Sequence, residues 1–555
     1  MAEYKLIGGY PEFMRESIKV VEETRQHRIG KLPDAMSLEG RADVLNMCHP
    51  DYAPGGKREI QFGVNKGDLA PHEVVDLLEA YPLVDPKDVD LSKIDYDVDI
   101  LIVGGGLAGT GAALLANDKG IPVDKILLVN KLRHGDSNSI MAQGGTQGAD
   151  RPQDNPNIHW LDGMGGGHFT NKPEVLRTLV EEAPIALKWM VDLGVQFDRD
   201  PDGQFTVLSG GGTSRKRMHA CRDYTGMEEV RVMRDEFRNR KIPCLEFMPV
   251  VELLTDPASG RVTGALLWNM ESKEYKVVKA KATIIATGGF GRLHVRGFPT
   301  TNHYGATADG VVLCYRAGAA LKDTDTVQYH PTGAAYPQQI IGQLLTEKLR
   351  TSGAQPLNKN GETFVYPLEP RDVEAAAFIK ECYVNDNGVP TPSGMRGIWL
   401  DTPMIEIVKG KGTIAKSFPG MVRMFKRFGI DMIQDPVLVF PTLHYQNGGV
   451  ETDPEARTNI EGLYVAGEVS GGVHGKNRLM GNSTLDCIVF GRVSGRAAAE
   501  YVQGVKDAGK LSFDHLPKYI KQMEEADIIT ERKAPMLLPE YRGKAVLARM
   551  IDIPF

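Results

Sequence analysis

A glycine-rich turn between two apolar segments constrains this chain more than any other feature. Residues 99–103 are rich in isoleucine and valine and predict a buried parallel strand. They lead into Gly104, Gly106 and Gly109, which have the spacing GxGxxG, and then into a helix of alanine and leucine. These glycines permit a tight turn, a close backbone approach to a pyrophosphate and close helix–strand packing, and the helix N-terminus favours phosphate. The segment therefore predicts the start of a dinucleotide-binding domain.

A second strand at the expected distance supports this interpretation, because GxGxxG alone is a weak motif. Residues 125–129 are apolar and predict that strand. Such a strand normally ends in an acidic residue that binds a ribose hydroxyl. Here Asn130 and Lys131 stand at its end. An asparagine can still donate a hydrogen bond to a ribose, so we expect both residues at the cofactor.

Three further segments extend the predicted nucleotide fold. Residues 134–145 are dense in glycine and small residues, which lets the backbone approach a flat ligand closely. Residues 282–291 form another strand followed by glycines, after a β-rich excursion at residues 250–278. Residues 462–468 form a third such unit, and Glu468 at its end is suited to ribityl or ribose hydroxyls. This order is typical of a large flavin-binding Rossmann fold.

Composition excludes several classes of protein. The 555 residues carry a net charge of -7 with mixed signs, which argues against a nucleic-acid partner. No apolar run approaches the length of a membrane span, and the first residues lack the pattern of an export signal. The six cysteines form no CxxC pair, so we expect a reducing cytoplasm and no iron–sulfur, zinc or haem site in this chain. Electrons would therefore have to be exchanged with another subunit.

The sequence predicts an α/β protein in which a Rossmann-type domain is interrupted by an inserted α+β capping domain. The predicted parts are an N-terminal extension (1–96), the nucleotide-binding domain (97–326 and 441–500), the inserted domain (327–440) and a short helical C-terminal tail (501–555). In the extension, residues 12–28 predict an amphipathic helix with Met14, Ile18 and Val21 on one face. The extension is either a docking or covering arm or an irregular segment packed on its own domain.

Several charged residues have an ordinary interpretation when each is taken alone. His330 could be a satisfied core histidine, and Arg371 could be the solvated start of a helix. Glu347 and Arg350 could form a surface ion pair at the spacing i,i+3. Their combination with neighbouring motifs favours a shared site.

Taken together, these motifs resemble the flavoprotein subunit of fumarate reductase and succinate dehydrogenase. The resemblance extends from about residue 97 to about residue 496. Besides the nucleotide loop, it depends on Ala142-Gln143-Gly144-Gly145, Asp223-x-Thr225-Gly226, Ala286-Thr287-Gly288-Gly289, His330-Pro331-Thr332-Gly333, Thr346-Glu347, Arg371-Asp372-Val373, His444-Tyr445 and residues 474–483. It implies FAD as the cofactor. The expected cofactor-binding residues are Gly104, Gly106, Gly109, Asn130, Lys131, Asn138, Ser139, Ala142, Gln143, Gly144, Gly145, Asp223, Ala286, Thr287, Gly288, Asp309, Glu468, Asn482, Ser483 and Leu485.

The resemblance also implies a substrate with two carboxylates, fumarate or succinate. Arginine forks and imidazoles suit such a substrate because bidentate pairing fixes orientation as well as charge. His444 and Arg478 would bind one carboxylate. His330, Thr346 and Glu347 would hold the other end and twist it out of plane, which polarises the double bond.

The implied reaction combines hydride transfer at flavin N5 with proton transfer from an arginine. Arg371 matches the proton donor, and Glu347 with Arg350 matches the relay that supplies it. An arginine is an unusual acid, since its pKa lies above about 12 in water. A crowded cationic pocket and a dianionic transition state make the role reasonable.

The sequence departs from the family pattern at three positions. Asn138 stands where the respiratory enzymes have the histidine that bonds covalently to the flavin, which predicts non-covalent FAD; His134, four residues earlier, is a poor substitute attachment point. The covalent bond raises the flavin potential, so its loss favours fumarate reduction. Lys348 replaces a small residue and Met480 replaces a glycine, and both changes could alter the substrate accepted. The C-terminal helical domain of the respiratory enzymes is also shortened here.

Three alternatives remain open at this stage. An L-aspartate oxidase shares the cofactor and several motifs, although Asp486 matches the reductase form. A dehydrogenase of bulky enoates or steroids would not need so many positive groups. A non-catalytic subunit that relays electrons would not need the full constellation. For the favoured interpretation we expect a cytoplasmic protein with an iron–sulfur partner subunit. A membrane anchor subunit, which would bring it to the inner face of the membrane, is a further expected partner. The electron donor stays open among a quinone, a thiol pair and a soluble flavin donor.

Overall fold

The computed structural model describes residues 5–539 and 541. The β-strands are β1 Leu6–Ile7, β2 Tyr10–Pro11, β3 Lys57–Glu59, β4 Leu69–Pro71, β5 Tyr81–Pro82, β6 Tyr96–Val103, β7 Ile126–Val129, β8 Thr146–Gln147, β9 Val207–Leu208, β10 Met218–His219, β11 Cys244–Leu245, β12 Val250–Thr255, β13 Val262–Trp268, β14 Tyr275–Ile285, β15 Leu321–Lys322, β16 Val327–Ala334, β17 Gln355–Leu357, β18 Val389–Pro390, β19 Arg396–Asp401, β20 Val437–Gln446, β21 Gly449–Glu451, β22 Leu463–Val465, β23 Ser470–Gly471 and β24 Lys533–Ala534.

The α-helices are α1 Glu12–Arg25, α2 Leu38–Cys48, α3 His72–Leu78, α4 Leu107–Asp118, α5 Pro156–Gly166, α6 Pro173–Leu193, α7 Thr225–Asn239, α8 Asp309–Arg316, α9 Lys348–Thr351, α10 Arg371–Ile379, α11 Met404–Lys409, α12 Thr413–Ser417, α13 Pro419–Lys426, α14 Asn482–Gly504 and α15 His515–Glu525. In the part of the chain that the structure describes, no helix combines the length and apolar character that crossing a bilayer requires.

The nucleotide-binding part is built on a seven-stranded sheet with the order β11-β7-β6-β14-β13-β12, and β22 pairs with β14. The strands β11, β7, β6, β14 and β22 pair in parallel. Their carboxyl ends therefore meet at one edge, which is where parallel sheets bind ligands. This arrangement confirms the prediction of an α/β protein built on a Rossmann-type sheet.

Close packing of α4 depends on small residues on both of its faces. A Cβ added at Gly109 would lie 1.9 Å from the carbonyl oxygen of Gly104, so only glycine lets α4 approach the turn after β6. On the other face, Gly491 and Gly495 of α14 lie against the backbone of α4. These contacts fix the N-terminus of α4 beside the sheet edge.

The inserted part is a five-stranded antiparallel sheet with the order β16-β20-β19-β17, to which β18 adds at β19. All residues of β16 are buried. The start of β16 coincides with the predicted boundary at residue 327, whereas β20 continues without interruption past the predicted boundary at residue 440. Because β16 and β20 pair with each other, His330 and His444 are brought close together.

The N-terminal extension packs on both parts of the molecule. Met14, Ile18 and Val21 of α1 are buried, as the periodicity predicts, and residues 26–28 continue as a short 3-10 turn. Arg28 Nη2 donates to Asp401 of β19 (2.8 Å), whereas Arg296 of the nucleotide-binding part donates to the carbonyl oxygen of Pro50. The extension therefore contacts both the inserted part and the nucleotide-binding part.

The C-terminal part begins later than predicted, because α14 continues to Gly504. Helix α15 follows, and β24 then pairs in parallel with β5 of the N-terminal extension. Residues 1–4, 540 and 542–555 lie outside the described residues.

Candidate active site

A continuous cavity extends from the turn after β6 to the inserted domain. Of the predicted cofactor residues, it is lined by Gly104, Gly106, Asn130, Lys131, Asn138, Ser139, Ala142, Gln143, Gly144, Gly145, Ala286, Thr287, Gly288, Asp309, Glu468 and Ser483. At its other end it is lined by His330, Thr346, Glu347, Arg371, His444 and Arg478. The folded chain thus joins the predicted cofactor and substrate residues in one space.

Five predicted residues do not line this cavity. Gly109 packs against the turn after β6, beneath the cavity. Leu485 of α14 is buried in the hydrophobic core. Asp223 accepts a hydrogen bond from the backbone of Met421 (3.0 Å) and so joins the two domains. The other two, Asn482 and Arg350, lie one layer behind the cavity wall: Asn482 contacts His159 and Arg350 contacts Glu347.

The turn after β6 has the geometry of a pyrophosphate-binding loop. Gly104 has a φ of +113°, and a Cβ there would lie 2.3 Å from the carbonyl oxygen of Ala286. The N-terminus of α4 points into the cavity from Gly106 and Leu107, which both line it. Backbone N–H groups at such a helix end attract phosphate. The hydroxyl of Thr287, buried without a partner among the described residues, is a further group available to a ligand.

Asn130 and Lys131, at the end of β7, form hydrogen bonds and an ion pair with neighbouring protein groups. Asn130 donates to the carbonyl oxygen of Arg133 (2.6 Å) and accepts from the backbone N–H of Gly105 (3.3 Å). Lys131 Nζ lies 2.7 Å from the carboxylate of Asp309. Both side chains line the cavity, but their polar groups are already engaged by the protein.

Asn138 is held beside an acidic residue at the centre of the cavity. Its amide nitrogen donates to Glu468 (3.1 Å) and Asn302 (3.2 Å), and its oxygen accepts from the backbone of His303 (2.6 Å). Burial raises the pKa of Glu468. Both the nitrogen and the oxygen of the Asn138 side chain are therefore engaged by the protein.

His134 lies outside the cavity and is engaged elsewhere. Its Nε2 lies 3.0 Å from the hydroxyl of Thr110, and its ring packs edge-on against Phe237. Burial, followed by the charges of Arg238 and Arg234, lowers the pKa of His134 to about 4. This placement gives no support to His134 as a displaced attachment point.

Two neutral imidazoles face the substrate end of the cavity. The rings of His330 and His444 lie 5.0 Å apart. Burial, and then the charge of Arg371, keeps the pKa of both histidines well below its usual range. Nδ1 of His330 accepts a hydrogen bond from the backbone of Thr332 (3.1 Å), so its proton is on Nε2 and can be donated to a ligand. Nδ1 of His444 lies 2.9 Å from the hydroxyl of Thr301.

Arg478 is a buried cation with unused hydrogen-bond donors. It is 1% exposed, and its guanidinium lies 4.4 Å from the ring centre of Tyr445. Nη1 donates to the carbonyl oxygen of Leu479, whereas Nε and Nη2 have no partner among the described residues. Burial, and then the charge of Arg371, lowers the pKa of Arg478 to about 9. Because an unpaired buried charge is costly, this arrangement favours an anion in the cavity.

Arg371, the first residue of α10, is held from two sides. Its Nε donates to Oε2 of Glu347 (2.7 Å), and its Nη1 donates to the side chain of Gln328 (3.0 Å). Oε1 of Glu347 accepts a hydrogen bond from the backbone N–H of Gly211 (2.7 Å). Burial would raise the pKa of Glu347, but the charges of Arg371 and Arg350 outweigh it and lower that pKa to about 2.

The chain of charges continues behind Glu347. Nη2 of Arg350 lies 3.5 Å from Oε2 of Glu347, at the predicted i,i+3 spacing. Nη1 of Arg350 forms a buried ion pair with Glu374 and also donates to the carbonyl oxygen of Pro367 (2.7 Å). Burial raises the pKa of Glu374 to about 8. The groups thus form a continuous line of ionisable side chains that ends at Arg371.

The sequence analysis did not identify three residues that contact this line of ionisable side chains. Gln328 precedes His330 by two residues, so the alternation of β16 could have placed both on one face. Glu374 follows Arg371 by three residues on α10, which is helical spacing for neighbours. Gly211 lies in a glycine-rich loop, and no local signal connects that loop to Glu347.

The other two departures from the family pattern, Met480 and Lys348, have different positions. Met480 is buried and lines the cavity beside Gly144. Lys348 points away from it: its Nζ donates to the carbonyl oxygen of Arg222 (3.2 Å) and lies 5.7 Å from the ring centre of Phe418. Only Met480 is therefore placed to contact a ligand directly.

Comparisons with known proteins agree with this geometry. Residues 99–484 match the protein family described as FAD binding domain. One chain of the fumarate reductase (CoM/CoB) of Methanothermobacter marburgensis is 35% identical over 441 residues, which are 78% of this chain and 76% of that protein. The L-aspartate oxidase of Nostoc sp. is 34% identical over 421 residues, 74% of this chain and 69% of that protein. A solved structure of a variant of the E. coli quinol fumarate reductase flavoprotein FrdA has a TM-score of 0.69 and 30% identity, and the match covers 78% of this chain and 74% of that chain.

The fold, the phosphate-binding turn and the family match define a flavin-dependent oxidoreductase whose cofactor is FAD. More particularly, the chain belongs to the family of fumarate reductase and succinate dehydrogenase flavoproteins. The predicted family and cofactor are confirmed.

Proposed function

We propose that this chain is the catalytic flavoprotein subunit of an enzyme that reduces fumarate to succinate. The observation that carries the proposal is the cluster of Arg478, Arg371 and two neutral histidines, His330 and His444, at the end of the FAD cavity. Two guanidinium nitrogens of Arg478, Nε and Nη2, have no protein partner within the described chain. A small dianion would supply the missing acceptors and balance both guanidinium charges.

The positions of the cluster assign separate tasks to its members. Arg478, with His444 beside it, binds one carboxylate of the substrate. His330 donates from Nε2 to the other end, which Thr346 also faces. Because Nδ1 of His330 is already engaged by the backbone, the ring orientation is fixed before the substrate arrives.

FAD held in this cavity would, in its reduced form, be the source of the hydride for one alkene carbon. Arg371 donates the proton that is added to the neighbouring carbon, so that one hydride and one proton convert fumarate to succinate. The proton that Arg371 loses is replaced through Glu347 from Arg350, in agreement with the line of contacts behind it. Holding the reacting groups in one geometry can contribute on the order of 7–11 kcal/mol to lowering the barrier.

We propose that FAD is bound without a covalent bond, since Asn138 occupies the attachment position and His134 lies outside the cavity. Without the increase in potential that the covalent bond gives in the family, fumarate reduction is the favoured direction. Acid precipitation tests this directly: the yellow colour is expected in the supernatant. Colour that stays with the precipitated protein would contradict it.

The electron source is proposed to be another subunit. One relative is the flavoprotein of a quinol fumarate reductase, and another is named for the thiols CoM and CoB, so the donors differ among relatives. We propose an iron–sulfur partner subunit, with a membrane anchor subunit where the donor is a quinol, which would place the complex at the inner face of the membrane.

Oxidation of L-aspartate is the second candidate function, because an L-aspartate oxidase is 34% identical to this chain. Asp486, whose carboxylate lies 3.2 Å from the hydroxyl of Tyr445 and 3.3 Å from His474, matches the reductase form of the motif. Incubation with L-aspartate in air distinguishes the two functions. Release of hydrogen peroxide and an imino acid would favour the oxidase.

The test of the main proposal is the oxidation of a reduced viologen by fumarate. We expect turnover by the wild-type protein. In Arg371→Ala and Arg371→Lys we expect nearly complete loss of turnover, because the proton donor is removed. FAD content should stay close to that of the wild-type protein, since the hydrogen bonds of Arg371 are made with Glu347 and Gln328 and not with the predicted cofactor residues. Absence of turnover in the wild-type protein, or full activity in both variants, would contradict a catalytic role in this reaction.

A further inference from the structure

A loop of the FAD-binding part reaches across to the inserted domain at the site. Residues 209–217 connect β9 and β10. The loop is anchored at its end by Arg217, which is 1% exposed and forms ion pairs with Asp154 and Asp162, both at 2.6 Å. At its tip, the hydroxyl of Thr213 accepts a hydrogen bond from the backbone of Gly210 (3.1 Å). The tip is therefore held in a defined shape before it meets the other domain.

The tip contacts the carboxylate of Glu347 through a single backbone group. The N–H of Gly211 donates to Oε1 (2.7 Å), which leaves Oε2 to face Arg371 Nε at 2.7 Å and Arg350 Nη2 at 3.5 Å. One oxygen of the relay carboxylate is thus fixed by the loop, and the other lies between the two guanidinium groups.

The space around Gly211 does not admit a side chain unless Glu347 moves. A Cβ added there would lie 2.5 Å from Oε1 of Glu347. The φ of Gly211 is not in the left-handed region, so an alanine would meet no backbone strain. The neighbouring Gly210 differs, because its added Cβ would make ordinary contacts with Thr213 at 3.5 Å and Met480 at 3.6 Å.

We propose that Gly211 is a positioning residue for proton delivery, which orients Glu347 so that Oε2 transfers the proton from Arg350 to Arg371. This inference rests on the proposed reduction of fumarate. Gly211 and Glu347 belong to different domains, so the relay is complete only while the inserted domain lies against the loop.

The matched pair Gly211→Ala and Gly210→Ala tests this inference. In Gly211→Ala the methyl group displaces Oε1, and we expect kcat for fumarate to fall by about 10-fold or more, since small misplacements of reacting groups have effects of that order. The KM for fumarate should change by less than about 2-fold, because Arg478, His444 and His330 are untouched. Gly210→Ala should keep both constants within about 2-fold of wild type.

A solvent isotope effect separates positioning from a general structural change. We expect the ratio of kcat in H₂O to kcat in D₂O to increase in Gly211→Ala only, because proton delivery then limits the rate. FAD content and the midpoint of thermal unfolding should be alike in the two variants. These readouts are measured on the full-length protein with reduced viologen as the electron donor.

The outcomes distinguish the inference from the proposed function. If the wild-type protein does not reduce fumarate, the proposed function fails. If it does, and Gly211→Ala behaves like Gly210→Ala, the function stands and the positioning role is overturned. An increased KM with an unchanged isotope effect would also overturn it, because the loop would then act on substrate binding.

Discussion

Arg478 shows how a single residue can indicate the charge of a ligand. Its guanidinium is buried near Arg371, and two of its nitrogens, Nε and Nη2, have no acceptor among the described residues. A protein seldom buries a cation in this way unless an anion completes the site. The aromatic face of Tyr445 offsets part of that cost.

Substitution of Arg478 should therefore weaken substrate binding. We expect Arg478→Ala to raise the KM for fumarate by about 10- to 100-fold, which corresponds to hydrogen bonds of about 1.5–3 kcal/mol to a charged group. The measurement is steady-state kinetics with reduced viologen. The exposed Arg215, whose side chain contacts Ser214, offers a control: Arg215→Ala should leave KM unchanged. An unaltered KM in Arg478→Ala would contradict the assignment.

The buried histidines predict a pH dependence of stability. Their folded pKa lies below the usual value, so the unfolded chain binds more protons as pH falls through about 6.5. The contribution of these histidines to stability is thus present at high pH and decreases below that value. In the absence of fumarate, we expect the midpoint temperature of thermal unfolding to decrease as the pH is lowered from 7.5 to 5.5. His330→Gln/His444→Gln should show a smaller fall; an identical pH profile would contradict neutral imidazoles.

At the scale of elements, the sequence predicts local features better than the contacts between distant ones. The strand and turn of residues 99–109 and the buried face of α1 follow from short-range patterns, and the structure has both. The end of the inserted domain could not be predicted from the change in composition along the chain, since β20 runs through residue 440 and nearly all of its residues on both sides are buried. The contact of Met36 with Glu369, 333 residues apart, has no local signal at all.

For the active site too, the sequence predicts local motifs better than contacts between distant parts of the chain. His330, His444, Arg371 and Arg478 were indicated by motifs, and the structure places all four on one cavity. Asp223 was also indicated by a motif, but it lies at the domain contact because its partner, the start of α13, is nearly 200 residues away. Motifs identify residue types at fixed spacing, whereas side-chain direction depends on packing across the chain.

The contact of α1 with β19 predicts an element-scale effect on stability. Asp401 is fully buried and is paired with both Arg25 and Arg28. Breaking a buried pair by removing one partner typically costs about 3–5 kcal/mol. We expect Arg28→Ala to cost about 2–3 kcal/mol of unfolding free energy, since Arg25 still pairs with Asp401. Urea unfolding measures the change.

The control for that prediction is Lys188, which forms an exposed i,i+4 pair with Asp192 on α6. Exposed pairs of this kind contribute about 0.3–0.5 kcal/mol. Lys188→Ala should therefore have little effect under the same conditions. If Arg28→Ala unfolds at the same urea concentration as Lys188→Ala, the N-terminal arm does not stabilise the inserted domain through this pair.

At the scale of the whole molecule, the described C-terminal part contacts both the N-terminal arm and the FAD-binding part. β24 pairs with β5 of the N-terminal arm, and Arg316 of α8, buried with Glu252, donates to the carbonyl oxygen of Ala534. Beyond β24, the carbonyl oxygen of Leu537 accepts from Thr307 (3.2 Å). The carbonyl oxygen of Pro539 accepts from Tyr304 (3.0 Å). The segment is therefore attached to the loop of residues 301–306, several of which line the cavity.

These contacts predict that the C-terminal segment contributes to FAD retention. Removal of residues 535–555 takes away the acceptors that hold Thr307 and Tyr304, so the cavity loop should become more mobile and bind FAD less tightly. We expect the dissociation constant for FAD to rise by about 10-fold, which corresponds to about 1.4 kcal/mol, or two ordinary hydrogen bonds. Flavin fluorescence during titration of the apoprotein measures it.

A second truncation after Tyr541 makes this test specific, because it keeps every C-terminal contact that the structure describes. Its affinity for FAD should equal that of the full chain. A loss of affinity in both truncations would place the effect beyond Tyr541, and no loss in either would show that the loop holds its shape unaided. If only the shorter chain releases FAD, cofactor retention depends on contacts between the cavity loop and a C-terminal segment that follows it by more than 200 residues.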